Sequence, residues 1–211
     1  MPKTDQDSYT LTEREIKINN QLYKDFRDSY GETPEGLGWN GRREQELRFE
    51  IMLKILDIQD PLQDQTILDE GCGFADLYSY LKKKYGKIDY TGIDINPDAL
   101  KIAKSRYPET EFIEANILET PMKKYDYIFC SGIFATILDD NEAFIREMIR
   151  RMVFLANKGI AFNFLQKSQF TSNLAEYDKS IILKFCKKNF KKAKMLDSYL
   201  GNDDVTIGIK K

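Results

Sequence analysis

The sequence predicts an α/β protein built on a doubly wound, mostly parallel sheet, and three observations predict it. From residue 66 onwards, short runs rich in β-branched and aromatic residues alternate with segments of helical periodicity, the pattern of parallel strands joined by crossover helices. Two glycines one residue apart directly follow the first of these runs, where a strand turns sharply into a helix. The short link Gly201-Asn202-Asp203-Asp204 joins the last two runs as a hairpin, so the sheet ends in an antiparallel strand.

Two helices are predicted before the sheet begins. A loose helical pattern runs from Ser8 to Tyr30 and breaks in the segment Gly31–Gly38, which contains proline and several glycines. A stronger apolar stripe predicts a helix over Arg42–Leu56, and Pro61 ends the connection to the first strand. We expect residues 1–60 to form a helical cover and residues 61–211 to form the sheet domain, within one structural unit.

The remaining elements alternate in order. The predicted strands are Thr66–Asp69, Tyr90–Ile95, Glu111–Ala115, Tyr125–Cys130, Ile160–Leu165, Lys191–Leu200 and Val205–Lys210. The predicted helices are Ala75–Tyr85, Pro97–Arg106, Asn141–Leu155 and Leu174–Lys188. Asn96 is a good N-cap residue, and Pro97 fits the first helical position. Gly159 is expected to end the helix that precedes the fifth strand.

Composition limits the possible functions. The chain has 211 residues, of which 42% are hydrophobic and 31% charged, as in one soluble domain with a full core. The net charge of −2 gives no electrostatic support for binding nucleic acid or an anionic membrane. No apolar run is long enough to span a bilayer, and the polar start at residues 1–7 is not a signal peptide. Three scattered cysteines suit a reducing cytoplasm and form neither a disulfide framework nor a zinc site.

Histidine is absent from the sequence. Its absence excludes Ser-His-Asp and Cys-His nucleophile systems and the usual His-ligated metals, so no metal is expected. Any general base must be a carboxylate, a tyrosine, a lysine or a water. Asp139, Asp140, Tyr177 and Asp178 fall near the predicted strand ends, but each is better explained as an ordinary surface residue. No catalytic residue is therefore assigned.

An acidic residue at the end of the second strand indicates the class of ligand. Asp94 follows the glycine turn at Gly71 and Gly73 by about twenty positions, a spacing at which a carboxylate accepts hydrogen bonds from both hydroxyls of a ribose. Asp76 stands at the third position of a Gly-x-Gly-x-x-Gly pattern, where it would repel the pyrophosphate of a dinucleotide. No lysine follows the glycines, which excludes a Walker phosphate loop. The pattern favours a positively charged nucleoside cofactor without phosphate.

From Thr66 onwards the sequence resembles the class I S-adenosylmethionine-dependent methyltransferases. Leu68-Asp69-Glu70-Gly71-Cys72-Gly73 is similar to their first motif, and Asp94 to their ribose-binding acid. Ala115–Leu118 is similar to the segment that binds adenine, and Asp126–Gly132 to the fourth motif beside the sulfonium. The resemblance implies a Rossmann-like, seven-stranded sheet with an antiparallel C-terminal hairpin, and S-adenosyl-L-methionine as the cofactor.

Two residues depart from the family pattern. Ala75 replaces a frequent third glycine, which is a mild change. Asn116 replaces a common aspartate, but its side-chain oxygen can still accept a hydrogen bond from the adenine amino group.

The resemblance also implies a set of cofactor-binding residues. Gly71 would bring a carbonyl to the cofactor's ammonium, and Asp69 would add negative potential there or serve only as a strand-end acid. Ile95 and Ile117 would sandwich the adenine or belong to the core, and Cys130 is better explained as a packing residue than as a nucleophile. The predicted set is Asp69, Glu70, Gly71, Cys72, Gly73, Asp94, Ile95, Asn116, Ile117, Cys130 and Ser131.

The sequence gives fewer signals about the molecule that accepts the methyl group. Methyl transfer from a sulfonium depends on alignment and exclusion of water more than on a base. The segment Cys130–Phe134 lacks the Asn-Pro-Pro-Tyr motif of enzymes that methylate adenine or amide nitrogens. A sugar or another small metabolite is therefore the expected acceptor, with no nucleic-acid or membrane partner and no prediction of oligomeric state.

The N-terminal region is rich in aromatic residues, including Tyr30 and Trp39. We expect residues 8–40 to fold over the cofactor as a lid, although the same aromatics also fit the apolar face of a packed helix. Arg48 could hold an anionic acceptor group or pair with neighbouring glutamates. The candidate acceptor-contacting residues are Tyr30, Trp39, Arg48 and Phe134.

Two alternatives stay open at this point. A protein methyltransferase that modifies a side chain or terminus would need an open groove, which a long ordered cover would contradict. A catalytically idle S-adenosylmethionine-binding partner subunit would keep the cofactor site without turnover. The intact residues Gly71, Gly73 and Asp94 argue against such decay.

Overall fold

The computed structural model describes residues 9–58, 62–166, 173–201 and 204–211. Its strands are β1 Thr66–Glu70, β2 Asp89–Asp94, β3 Glu111–Glu114, β4 Tyr125–Cys130, β5 Ala156–Leu165, β6 Lys192–Asp197 and β7 Asp204–Lys210. Its α-helices are α1 Glu13–Tyr30, α2 Arg42–Ile55, α3 Asp76–Tyr85, α4 Pro97–Arg106, α5 Asn141–Leu155 and α6 Lys179–Asn189. Short 3₁₀ turns occupy Glu35–Leu37 and Ile133–Ala135.

The strands form one sheet in the order β3-β2-β1-β4-β5-β7-β6. The pairs from β3 to β5 are parallel, whereas β7 runs antiparallel between β5 and β6. The predicted doubly wound, mostly parallel sheet with an antiparallel C-terminal hairpin is therefore confirmed. The strand order reverses between β1 and β4, so a crevice opens at the carboxyl ends of these strands, where ligands of open α/β sheets bind.

Both faces of the sheet are covered by helices. Apolar residues of α5 and α6 pack on one face, and those of α2, α3 and α4 pack on the other. The α2 helix lies close to the sheet because glycines face it: a Cβ on Gly208 would come within 2.7 Å of Ile55 Cγ2. This contact fixes the helix that connects the N-terminal residues to the sheet.

Several predicted bounds require correction. Gly159 lies inside β5 and ends no helix, because α5 stops at Leu155 and Ala156 is already extended. The helix predicted from Leu174 begins only at Lys179, where the Asp178 side chain caps it by accepting from the N–H of Ser180. Ser8, Pro61, Asn202 and Asp203, which entered the predicted boundaries, lie outside the described residues.

The first helix also starts later than its apolar pattern indicates. Thr12 is its N-cap, and it forms a capping box in which its side chain accepts from the Glu15 N–H while Glu15 accepts from the Thr12 N–H. Such reciprocal bonds satisfy two of the free N–H groups at a helix start. The α1 helix therefore begins at Glu13.

The α1 helix lies across the carboxyl ends of the central strands. The Tyr23 hydroxyl donates to the Gly132 carbonyl at 3.3 Å, and Thr136 Oγ1 donates to Asn19 Oδ1 at 2.8 Å. Near the other end of α1, Arg27 Nη2 lies 2.8 Å from Asp98 Oδ2. These contacts hold α1 over the crevice between β1, β2 and β4. Among the helices of the described segments, none is long and apolar enough to cross a bilayer.

Candidate functional site

The turn after β1 requires a glycine at position 71. The N–H groups of Gly71 and Cys72 both donate to the Ile93 carbonyl, at 2.9 and 3.0 Å, which ties the turn to β2. Gly71 has a φ of +71°, and a Cβ there would lie 2.1 Å from Ile133 Cγ2. Ala75 also adopts a positive φ, at the position where the family often has a third glycine. The turn is thus tight on both sides.

Asp94 faces this turn from the end of β2. Its Oδ2 accepts from the Gly73 N–H at 2.9 Å, and its Oδ1 accepts from the Asn96 N–H at 2.8 Å. Each carboxylate oxygen keeps further acceptor capacity. The residue therefore fixes the glycine turn and still has lone pairs for a diol.

A cavity lies between this end of the sheet and α1, and we call it the cofactor cleft. About 1120 Å³ of space within it is free of protein atoms, a volume that includes solvent at its open mouth. Its charged lining residues among those described are the acids Asp69, Glu70, Asp76 and Asp94 and the single base Arg27, which is already paired with Asp98. The cleft is strongly acidic and favours a cation over a phosphate.

The buried acids have perturbed titration behaviour. Burial raises the pKa of Asp69 to about 7, although its Oδ2 accepts a hydrogen bond from the Tyr90 hydroxyl at 2.6 Å. Burial also raises the pKa of Glu70 well above its usual range, with Asp94 and Asp69 adding repulsion. Glu70 is only 6% exposed, and its Oε2 has no hydrogen-bond partner in the part of the chain that the structure describes. A bound cation would relieve this repulsion.

The raised pKa of Asp69 predicts a pH dependence of stability for the ligand-free protein. Its folded pKa of about 7 exceeds the ordinary value of 3.8. The contribution of Asp69 to stability is therefore fully present below about pH 4 and is lost as the pH rises through about 7. Within that window the free energy of unfolding should fall by up to roughly 1.4 kcal/mol per pH unit. Urea unfolding followed by circular dichroism at about pH 5 and about pH 8 measures this slope.

Asp69→Asn should make that slope shallower because one titrating group is lost, while Glu70 and Asp94, whose pKa values burial also raises, still titrate. Asp89→Asn, at the exposed start of β2, provides the control and should keep the wild-type slope. Equal slopes for wild type and Asp69→Asn would contradict the prediction.

Most of the predicted cofactor-binding residues line the cleft together. They are Asp69, Glu70, Gly71, Cys72, Gly73, Asp94, Ile95, Asn116 and Ser131. Two others do not. Ile117 and Cys130 have no exposed surface and belong to the apolar cluster that contains the buried residues of α5. Their side chains are therefore not exposed in the cleft.

The two side-chain polar atoms of Asn116 have different surroundings. Its Oδ1 accepts from the Leu118 N–H at 3.0 Å and so shapes the local turn. Its Nδ2 is buried and makes no hydrogen bond to the described residues. This donor suits a ring nitrogen of adenine, and Oδ1 keeps a second lone pair that could accept from the amino group.

The predicted acceptor-contacting residues separate into two groups. Tyr30 is 58% exposed and lines neither cavity described here, because it lies on the outer side of α1 at its end. Trp39, Arg48 and Phe134 line a second cavity. Arg48 pairs with Asp204 at the start of β7, at 2.6 Å, which the sequence did not predict. Its Nη1 also lies 4.0 Å from Oε2 of Glu44, one of the neighbouring glutamates that the sequence suggested.

The second cavity adjoins the cofactor cleft, and we call it the acceptor cavity. It encloses about 790 Å³ of space free of protein atoms. The two cavities share the lining residues Tyr23, Leu37, Trp39 and Gly132. None of the candidate bases Asp139, Asp140, Tyr177 and Asp178 lines either cavity.

Several lining residues were missed in the sequence. Asn19, Tyr23 and Arg27 all line the cofactor cleft from α1. Their spacing of four residues places them on one helix face, and this polar-aromatic stripe is a signal that the sequence contains. Gln45 and Asn163 carried no such signal, since each is brought to the site by packing between distant segments.

Comparisons with known proteins agree with this geometry. Residues 67–153 match a family profile described as a methyltransferase domain. A putative methyltransferase of Mycobacterium tuberculosis is 29% identical over 170 residues, which are 75% of this chain and 99% of that protein. Trans-aconitate 2-methyltransferase of Afipia carboxidovorans is 33% identical over 86 residues, which are 40% of this chain but only 34% of that protein.

Solved structures share the fold. The N-methyltransferase NodS of Bradyrhizobium japonicum in complex with S-adenosylhomocysteine has a TM-score of 0.67 and 14% identity, and the match covers 92% of this chain and 98% of that one. Magnesium protoporphyrin IX methyltransferase of Synechocystis with S-adenosylhomocysteine has a TM-score of 0.65 and 15% identity, covering 92% and 99%. With a methyltransferase domain at its centre and the fold of structures crystallised with S-adenosylhomocysteine around it, the protein is an S-adenosylmethionine-dependent methyltransferase that is similar to the class I enzymes.

Proposed function

We propose that this methyltransferase acts on a small-molecule acceptor bound in the acceptor cavity. The main support is that this cavity adjoins the cofactor cleft and that both are covered by α1 and the loop after it. A covered pair of cavities fits a molecule that is enclosed whole, whereas a protein side chain or a nucleic acid would need an open approach. The small-molecule acceptor expected from the sequence thus remains the preferred one.

We assign the cofactor to the acidic cleft. Asp94 would accept from the ribose hydroxyls, Asn116 and Ile95 would contact the adenine, and the buried acids Asp69 and Glu70 would face the positive charge. Two unpartnered polar atoms support this fit, because among the described residues Glu70 Oε2 lacks a donor and Asn116 Nδ2 lacks an acceptor. When bound, S-adenosylmethionine supplies a methyl group on a sulfonium, open to in-line attack by an acceptor lone pair.

The N-terminal residues would act as a lid that excludes water. Leu37 packs directly on the glycine turn, since a Cβ on Gly73 would lie 3.0 Å from Leu37 Cδ1. Trp39 packs on Gly132 in the same way, with a Cβ there 2.8 Å from Trp39 Cζ2. Exposed ion pairs, such as Arg14 with Asp139 and Arg106 with Glu32, add to this packing. Exposed pairs of this kind are weak, so the packing of Leu37 and Trp39 would be what chiefly holds the lid closed.

The relatives are consistent with a small acceptor. One is named a trans-aconitate methyltransferase, and one structural neighbour from Burkholderia thailandensis is crystallised with bound 1,6-didemethyltoxoflavin. A methyl-labelling experiment tests the proposal. Purified protein with methyl-labelled S-adenosylmethionine should label the low-mass fraction of a cell extract. Label confined to protein or RNA would contradict it, and cofactor binding without any labelling would favour the idle partner subunit.

A further inference from the structure

The acceptor cavity has a lining that is aromatic on several sides. Tyr23 and Phe26 of α1, Trp39 of the following loop, Phe134 after β4 and Phe164 of β5 all contribute to it. Leucines supply most of the remaining surface. Flat aromatic walls favour a planar ligand, because rings bury large areas and pair in offset or edge-to-face contact.

Apart from the exposed Asn40, few polar side chains of this cavity are free to bind a ligand. Asn163 uses Oδ1 to accept from the Gly132 N–H at 3.0 Å and Nδ2 to donate to Ser131 Oγ at 3.3 Å. The Tyr23 hydroxyl donates to the Gly132 carbonyl. A sugar brings many hydroxyls that would lose their hydrogen bonds to water without replacement. The lining therefore disfavours a polyol.

Arg48 differs from these side chains because one of its polar atoms lacks a hydrogen-bond partner among the described residues. It is only 5% exposed and forms a two-pronged pair with Asp204, with Nε 2.8 Å from Oδ1 and Nη2 2.6 Å from Oδ2. Its guanidinium lies over the Trp39 ring, 4.7 Å from the ring centroid. Its Nη1 is buried and makes no hydrogen bond within the described chain. A buried guanidinium N–H without an acceptor is costly, and a ligand oxygen would satisfy it.

The charge at this position selects against an anion. Asp204 pairs with Arg48 at 2.6 Å and Glu44 Oε2 lies 4.0 Å from Nη1, so two carboxylates surround the guanidinium and it presents a donor without a net positive charge. A carboxylate ligand would meet Asp204 as well as Arg48, and burying that further charge has no compensating partner. A neutral carbonyl oxygen matches the free Nη1 without this cost.

We infer that the acceptor is a planar, uncharged aromatic compound with a carbonyl oxygen that accepts a hydrogen bond from Arg48 Nη1. Trp39 positions it, since the ring packs against Arg48 on one side and borders both cavities. This inference rests on the proposed function and narrows its acceptor from small metabolites in general to one chemical class.

Binding to protein saturated with S-adenosylhomocysteine tests the inference. The probes are 7-hydroxycoumarin, which carries a ring carbonyl, 2-naphthol, which lacks one, methyl glucoside as the polyol and benzoate as the anion. Calorimetry gives the affinities, and fluorescence of Trp39, the only tryptophan in the sequence, locates binding at this cavity. We expect 7-hydroxycoumarin to bind tightest, 2-naphthol about tenfold or more weaker, and the polyol and anion weakest.

Arg48→Lys keeps a cation beside Asp204 and removes Nη1. It should weaken 7-hydroxycoumarin binding by about tenfold or more while leaving 2-naphthol and S-adenosylhomocysteine unchanged. If this variant does not fold, Phe26→Ala provides the second measurement. It should weaken both aromatic probes, whereas Ile18→Ala, at an exposed position on the same helix, should weaken neither.

The outcomes separate the two proposals. Protein that binds S-adenosylhomocysteine but prefers methyl glucoside or benzoate, binds no aromatic probe, or loses both aromatic probes equally in Arg48→Lys overturns the inference and leaves the proposed function standing. Failure to bind S-adenosylhomocysteine overturns the cofactor assignment instead, whatever the probes do.

Discussion

Asp94→Ala is expected to weaken S-adenosylmethionine binding by about 100-fold or more. The carboxylate would accept from two ribose hydroxyls, and hydrogen bonds to a charged group contribute roughly 1.5–3 kcal/mol each, so losing both costs about 3 kcal/mol or more. The substitution also frees the Gly73 and Asn96 N–H groups that the two oxygens now accept from. Isothermal titration with S-adenosylmethionine measures the loss.

Two variants separate the role of Asp94 in binding from its role in the turn. Asp94→Asn keeps one oxygen that can accept from the Gly73 N–H, so the turn should persist while one ribose acceptor is lost, and its affinity should fall between those of wild type and Asp94→Ala. Asp89→Ala, at the exposed start of the same strand, should bind like wild type. A folded Asp94→Ala protein with unchanged affinity would remove the cofactor assignment.

The parts of the site that the sequence predicted are those set by local chain geometry. Gly71 and Gly73 mark a turn that requires positive φ, and Asp94 follows at the spacing that one strand-helix-strand unit imposes. Both features lie within about thirty residues of chain, the length of such a unit. Predictions from such short-range patterns hold in the folded structure, because the strands that they define are also neighbours in the sheet.

The parts that the sequence did not predict depend on contacts between distant segments. Arg48 meets Asp204 only because α2 packs across β7, and Tyr23 reaches Gly132 only because α1 crosses the strand ends. No periodicity or motif links those positions. Pairing Arg48 with nearby glutamates was the local prediction; Glu44 does lie 4.0 Å from Arg48, but the fold adds a closer partner at the other end of the chain.

Residues at strand ends were ambiguous for a different reason. Ile95 and Ile117 both follow strands and were assigned the same role, yet Ile95 lines the cofactor cleft and Ile117 is buried in the core. A shift of one residue in a strand or its connection turns a side chain to the opposite face. Composition does not show which face an isoleucine takes. In the structure, Asn116 accepts from the Leu118 N–H in a local turn, and Ile117 within that turn is buried.

Gly71→Ala is expected to destabilise the protein by about 3 kcal/mol or more and to weaken cofactor binding. A left-handed conformation costs a residue with a Cβ roughly 1–2 kcal/mol, and overpacking adds typically 1–3 kcal/mol. Overpacking applies here because the added Cβ would lie 2.1 Å from Ile133 Cγ2. Urea unfolding gives the stability, and titration calorimetry gives the affinity for S-adenosylmethionine.

Gly86→Ala separates the two costs. Gly86 has a similar φ of +79°, but a Cβ there would meet nothing within 4 Å, so this variant should lose only about 1–2 kcal/mol. In the double variant Gly71→Ala/Ile133→Ala the clashing methyl is gone, and the next atom, Ile133 Cβ, lies 3.6 Å away at ordinary contact distance. The double variant should therefore lose less stability than the two single variants added together, by about 1 kcal/mol or more. Additive losses would mean that a Cβ at position 71 does not clash with Ile133, and that only the positive φ requires glycine there.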